Sequence, residues 1–422
     1  MSSESSTEGQ KLRPTTKVLT HGFEPSLSVG AARPAVFRSS TYVFTSPESA
    51  ERAFDIATGR VQPNPGETTD LIYSRLNHPN AEILEDQIVP LEAGAEAAIV
   101  FNSGMAAVTT ALFSCLKPGQ KVVYTVPAYG GTQHFLRDYL PLWGVEGVPV
   151  IAGDSQEIGL AICTTKDLGA VLVETPANPT LVMTDLAQIS QSTHVVSQRG
   201  TRPVVMVDNT LLGPAFQHPL KLGADLVLYS ATKYLSGFSD MLGGVVLGRD
   251  KELIQKIRLL RAMFGNILQP DECWLLDGRL STVGIRMNKA SKNAQRIANN
   301  LIGNPSLDAV LYPTLLEDSE QCRIYKSQCE HPGGIISLQL KGGKRAAFNF
   351  LRNLRIARNA VSLGGVETLV CHPKTTTHSG FTERESAYAG VTDGLVRISV
   401  GIEDWRDLLA DFEHALDTAR AG

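Results

Sequence analysis

The chain has 422 residues, 43% of them hydrophobic and 19% charged, long enough for two or three domains around a large core. A formal net charge of −4 leaves no basic footprint for nucleic acid or an anionic membrane, and no window reaches the roughly 18 apolar residues of a membrane span. Six cysteines without Cys-x-x-Cys spacing, and nine histidines without a His-Glu-x-x-His pair, argue against zinc, any other metal and a disulfide framework, and for reduced, cytoplasmic thiols.

The Ser/Glu-rich run Met1–Lys11 lacks the basic-then-apolar order of a signal peptide and reads as a disordered tail. Residues 12–70 show little regular pattern, and Gly59–Asp70, rich in Pro, Gly, Asn and Thr, reads as an exposed loop. A helix is expected to start at Asn77-His78-Pro79-Asn80, with apolar positions at Ile83, Leu84, Ile88 and Leu91. Strands then alternate with helices. The strands are Ala97–Phe101, Lys121–Thr125, Gly144–Val150, Ala170–Glu174, Pro203–Asp208 and Leu226–Ser230; the helices are Ala106–Leu116, one running to about Leu140, and Asp185–Arg199. Such alternation implies a mostly parallel sheet with helices on both faces. After about Gly265 the pattern changes to a long helical stretch from Pro270 to about Leu301. Strands Gly334–Leu340 and Leu395–Val400 follow, with a helix near Arg345–Leu354 between them, and a terminal helix covers Asp404–Ala419. The predicted division is a tail and arm (1–70), a large domain (71–265) and a C-terminal α/β domain (266–422).

Chemistry-bearing residues fall at strand ends. Tyr229-Ser230-Ala231-Thr232-Lys233 puts two hydroxyls and a lysine at the C-terminal end of a strand, where ligands bind in open parallel sheets. A lysine there suits a carbonyl cofactor held as an imine, with Ser230 and Thr232 on its phosphate and the glycines at 237, 243 and 244 permitting close approach. Taken alone, the motif fits a surface lysine after a strand better. Ser103-Gly104-Met105, between a strand and a helix N-terminus, reads as an anion site or a tight turn. Asp208 ends an apolar strand, either to hold a protonated pyridine nitrogen or to cap a helix. Pro176 and Pro179 fix a turn that points the Asn178 amide into the cleft. Tyr129 is placed to stack on a planar ring. Arg397, inside an apolar strand, suits a substrate carboxylate or a structural salt bridge.

These segments, together with Tyr73-Ser74-Arg75, Glu174-Thr175-Pro176-Ala177-Asn178-Pro179, Asp208-Asn209-Thr210, Ser362-Leu363-Gly364-Gly365-Val366-Glu367 and the stretch Gly394–Gly401, resemble the cystathionine γ-synthase/methionine γ-lyase family over about residues 15–420. These are pyridoxal 5'-phosphate enzymes of Cys/Met metabolism with fold type I, the aspartate-aminotransferase-like α/β fold, so the resemblance implies a mostly parallel seven-stranded sheet plus a smaller C-terminal α/β domain. It implies Lys233 as the imine-forming lysine and mobile acid/base. Ser103, Gly104, Met105, Ser230 and Thr232 would hold the phosphate, Asp208 the ring nitrogen, and Tyr129 the ring face and leaving group. Tyr73 and Arg75 would complete a neighbouring subunit's phosphate site, making a homodimer with shared sites and, beyond it, a homotetramer. Arg397, with Ser362 and Asn178, would bind the α-carboxylate of an amino-acid substrate. Loss of an α-proton and then a β-proton would let the γ-substituent leave; water then yields a 2-oxo acid and ammonia, whereas a nucleophile at Cγ yields a replacement product.

Two positions depart from the family's branches. Gly131 stands where methionine γ-lyases usually carry Cys, and Val361 where cystathionine enzymes usually carry a Glu for the distal ammonium. The run His372–Ser379 looks closer to the sulfhydrylase pattern, apart from Lys374, and the loop Thr58–Asp70 is longer than expected. The leading expectation is therefore γ-replacement on an activated, O-acyl-type L-homoserine. A γ-lyase acting on methionine, homocysteine or cystathionine is the alternative, and a catalytically silent scaffold the non-enzymatic one.

Overall fold

A computed structural model describes residues 12–64, 67, 70–198, 200, 202–316 and 318–421. The expected tail Met1–Lys11 lies outside them, as does part of the loop Thr58–Asp70. Seven strands form the first sheet: β1 (Ala97–Phe101), β2 (Lys121–Val126), β3 (Glu146–Ile151), β4 (Leu168–Glu174), β5 (Val204–Asp208), β6 (Leu226–Ser230) and β7 (Gly244–Gly248), in the order β1-β7-β6-β5-β4-β2-β3. Val, Ile and Leu dominate them, and β4 is buried along its whole length, as expected for strands covered on both faces. One cluster on the sheet packs Ile99, Leu112, Leu172, Met206, Leu228 and Ile254. Another packs Val123, Ile162, Val171, Ile189 and Val207.

The strand β7 is not among those expected from the sequence. It pairs antiparallel with both β6 and β1. Reversing direction twice makes β1 run the same way as β6, so the C-terminal ends of β1, β2, β4, β5 and β6 all open on one edge. That edge carries the site.

Five further strands form a second sheet: β8 (Leu307–Leu311), β9 (Ile335–Leu340), β10 (Arg358–Asn359), β11 (Leu369–Cys371) and β12 (Leu395–Ser399), in the order β10-β11-β12-β9-β8. Of these, only β9 and β12 are expected from the sequence; β10 and β11 have two and three residues, too short to show an alternating pattern. Helices Val283–Leu301, Gly343–Asn353 and Trp405–Ala421 cover this sheet through Ile297, Leu301, Phe350, Phe412 and Leu416. The expected single helix Pro270–Leu301 is two, Pro270–Leu280 and Val283–Leu301, broken at Ser281-Thr282. Residues 12–70 hold a helix after all, Pro47–Ala57, started by a Ser46–Ser49 capping box. No helix of the described residues is long and apolar enough to cross a membrane.

Candidate active site

Each strand end on that edge contributes one group. After β1, the Ser103 hydroxyl caps the helix Gly104–Cys115 by accepting the Ala106 N–H at 3.1 Å. Ser103 therefore acts as a cap, while Gly104 and Met105, in the first turn, have amides with no intrahelical acceptor. This turn faces the end of β6: a Cβ at residue 104 would lie 2.8 Å from Ser230 Cβ and 2.9 Å from its Oγ. Free helix amides, the positive end of the dipole and the Ser230 hydroxyl thus converge, an arrangement suited to a phosphate. Thr232 stands beside them, its Oγ1 accepting the Gly243 N–H at 3.1 Å. Thr210, part of the Asp208-Asn209-Thr210 motif but given no role from sequence, accepts the Ser230 N–H through Oγ1 at 2.9 Å.

Lys233 extends from this corner toward the second sheet, where Nζ donates to Ser362 Oγ at 3.0 Å. Burial, and then the Arg397 guanidinium, lower its pKa to about 8, so a substantial neutral fraction exists near neutrality. Arg397 on β12 is 2% exposed. It donates to Asn178 Oδ1 (3.1 Å), Val361 O (2.7 Å) and Ser362 O (3.0 Å), and its Nε has no partner among the described residues. No carboxylate neutralises it among those residues, so the salt-bridge alternative fails and the cation stays available for an anionic ligand.

Asp208 and Glu174 are register-paired at the ends of β5 and β4. Asp208 accepts the Thr210 N–H at 3.0 Å, and among the described residues no cation pairs with it. Glu174 is buried and accepts the Tyr129 N–H at 2.6 Å. Enclosure by protein raises the pKa of both, and for Glu174 the neighbouring Asp208 raises it further. The sequence reading quoted Glu174 but gave it no task. An acid ending the wholly buried strand β4 was the same signal that singled out Asp208. Two adjoining acids with no ion-pair partner among the described residues fit a protonated ring nitrogen. Tyr129, 44% exposed, stands over the same edge.

Tyr73 and Arg75 are not joined to this cluster. Both are exposed; Arg75 Nη1 donates to Ala262 O at 2.6 Å, and its guanidinium lies 5.8 Å from the Tyr73 ring centroid. A phosphate cradle, an amine of lowered pKa, an acid for a ring nitrogen and an unpaired guanidinium together fit a phosphorylated pyridine aldehyde and an amino acid.

Comparison with known proteins agrees. The profile of the Cys/Met metabolism PLP-dependent enzymes matches residues 15–417. An L-methionine γ-lyase of Pseudomonas putida is 38% identical over 403 residues, covering 95% of this chain and 96% of its own length. A cystathionine γ-synthase of Mycobacterium bovis is 36% identical and covers 96% of each chain. The crystal structure of cystathionine γ-synthase from Xanthomonas oryzae pv. oryzae in complex with cystathionine superposes with a TM-score of 0.87 at 31% identity, over 98% of this chain and 100% of that one.

Proposed function

The chain belongs to the Cys/Met metabolism PLP-dependent enzymes, and within that family we propose that it catalyses γ-replacement on an O-acyl-type L-homoserine. It is a pyridoxal-phosphate-dependent enzyme of fold type I, and its relatives carry out both γ-replacement and γ-elimination. The cofactor, when bound, supplies an electrophilic carbon and an electron sink. In our reading residues 71–265 hold it and 266–422 bring the substrate groups, with 1–70 as tail and arm.

The geometry supports the following part for the protein's own residues. Arg397 and Asn178 hold the α-carboxylate and fix the amino acid's orientation. The Lys233 amine, released from Ser362, moves the proton at Cα and then the one at Cβ. Gly104, Met105, Ser230 and Thr232 grip the phosphate, and Tyr129 covers the ring and faces the departing γ-group. The exposed Tyr73 and Arg75 complete the phosphate site of a second copy, so we read the enzyme as a homodimer with shared sites that pairs into a tetramer. Its six unpaired thiols suit the cytoplasm. Mixed dimers of Arg75→Ala and Lys233→Ala subunits test the sharing: one intact site restores activity, and its absence in verified mixed dimers refutes the shared site.

The observation that favours replacement of a simple ester is Val361. Its side chain is 54% exposed beside Ser362, and its carbonyl accepts from Arg397. An apolar side chain at the mouth offers no counter-ion to a distal ammonium, which disfavours cystathionine. A Cβ at 131 would lie 2.7 Å from Tyr129 Cε1, so the Tyr129 ring takes up space that a Cys there would need. The γ-lyase reading is supported by the methionine γ-lyases among the relatives. Incubation with O-acyl-L-homoserines and a panel of nucleophiles, read by mass spectrometry in heavy water, decides. Replacement product carrying deuterium at Cα and Cβ is expected. Dominant 2-oxobutanoate with every nucleophile, together with ready cleavage of methionine, would establish the lyase instead.

A further inference from the structure

The segment His372–Ser379 packs behind the site, and its last residue but one, His378, is 1% exposed. His378 Nε2 lies 3.2 Å from the Ala128 carbonyl and 3.1 Å from the Asn178 carbonyl, while Nδ1 lies 2.8 Å from Thr377 Oγ1. Carbonyls only accept, so Nε2 carries the hydrogen and Nδ1 accepts from the threonine hydroxyl. The ring is held neutral in one tautomer. Burial, and then the nearby Arg397, lower its pKa to about 4, which agrees.

The two carbonyls belong to the two walls of the site. Ala128 precedes Tyr129, and Asn178 holds Arg397 through its side chain. The next residue, Gly130, lies against the Thr377 carbonyl so closely that any Cβ would collide with it. Glu174 takes the Tyr129 N–H. The backbone of residues 128–130 is thus held at each residue, and one N–H ties it to the Asn178 turn.

We propose that His378 is a positioning residue for the reaction: its shared N–H holds the Tyr129 loop and the Asn178–Arg397 pair at a set distance, so that both close on one amino acid. This rests on the reading of Tyr129 and Arg397 given above. Small displacements matter here, since a shift of about 1 Å in a positioning group costs on the order of 10²-fold in rate.

Holoenzyme carrying His378→Phe keeps the ring volume and loses the N–H, and His378→Gln returns an amide N–H at similar reach. For H378F the expected result is a KM for O-acyl-L-homoserine raised about 10-fold, kcat per bound cofactor lowered about 10-fold, and weaker visible circular dichroism of the cofactor. H378Q should recover most of all three. If H378F does not fold, H378N, whose amide falls short of the carbonyls, takes its place. Lys374→Met serves as the control, cutting the same loop's outer ion pairs to Glu383 (3.0 Å) and Asp393 (3.1 Å); it should leave KM and dichroism unchanged. Wild-type kcat, KM and dichroism in H378F with only a lower melting temperature overturns the positioning role, as does an equal effect in K374M. Tyr129→Ala and Arg397→Lys are measured alongside. If they too leave dichroism and KM unaltered, the reading of the site fails and the positioning role falls with it. If they are impaired and H378F is not, the positioning role alone falls.

Discussion

Two enclosed charge clusters treat the same residue types in opposite ways. On the helix Pro79–Ile88, Glu85 accepts from Arg258 at 2.6 Å, Arg261 at 2.9 Å and the Val100 N–H at 3.1 Å. Burial pushes its pKa up, but the two guanidiniums outweigh that and the carboxyl ends below its ordinary value. At the sheet edge, Glu174 and Asp208 stand side by side with no ion-pair partner among the described residues and both end above theirs, the field of Arg397 only partly offsetting burial at Glu174, while Arg397 has carbonyls and an amide for company but no carboxylate among those residues. The charges of the first cluster are paired within the chain. The second is complete only with a ring nitrogen and a carboxylate from outside. Paired burial marks structure; unpaired burial of both signs a few residues apart marks a place for ligands.

Substitutions in either cluster test the contrast. Lys233→Ala should show the largest effect, a fall in kcat of about 10³-fold or more, with cofactor still bound through its phosphate contacts. Borohydride reduction of the wild type should map the adduct to Lys233, and a peptide map placing it on another lysine refutes the site. Glu85→Ala leaves Arg261 buried and unpaired and should destabilise the fold by about 3–5 kcal/mol in denaturant titration. Glu174→Gln removes a carboxyl whose pKa is already raised, so the apo-protein's melting temperature should stay level or rise. Equal losses in the two variants would erase the contrast.

Arg397→Lys keeps the charge but loses the fork that spans Asn178 and the incoming carboxylate. An increase of about 10-fold in substrate KM, with thermal stability little changed, is expected. The lowered Lys233 pKa predicts a pH effect with a definite sign. Only the neutral amine attacks a carbonyl, so the rate at which apo-protein takes up pyridoxal phosphate should rise through pH 8 and level off above it. A rate still climbing toward pH 10.5 would mean an ordinary, solvated lysine. The smallest effect belongs to Val361→Glu. At a half-exposed position the added counter-ion should improve kcat/KM for cystathionine only about two- to fivefold.

What the sequence determined by itself is what depends on neighbours along the chain. Apolar runs of strand length ending in Asp208, Ser230 and Glu174 state that these groups sit where buried strands stop, and the proline-flanked Asn178 and the turn at Ser103-Gly104 are equally local. What tertiary structure decided is which strand ends share an edge. β7, five residues that begin and end with glycine, looks like loop until its two antiparallel neighbours are known. Yet its reversal turns β1 to run with β6 and sets Gly104 against Ser230. The same holds for Arg397, whose partner Asn178 is 219 positions away, and for His378, whose acceptors lie 250 and 200 positions away. Periodicity records whether a residue's own side chain is buried; it carries no record of the register, direction or distant backbone that meets it there.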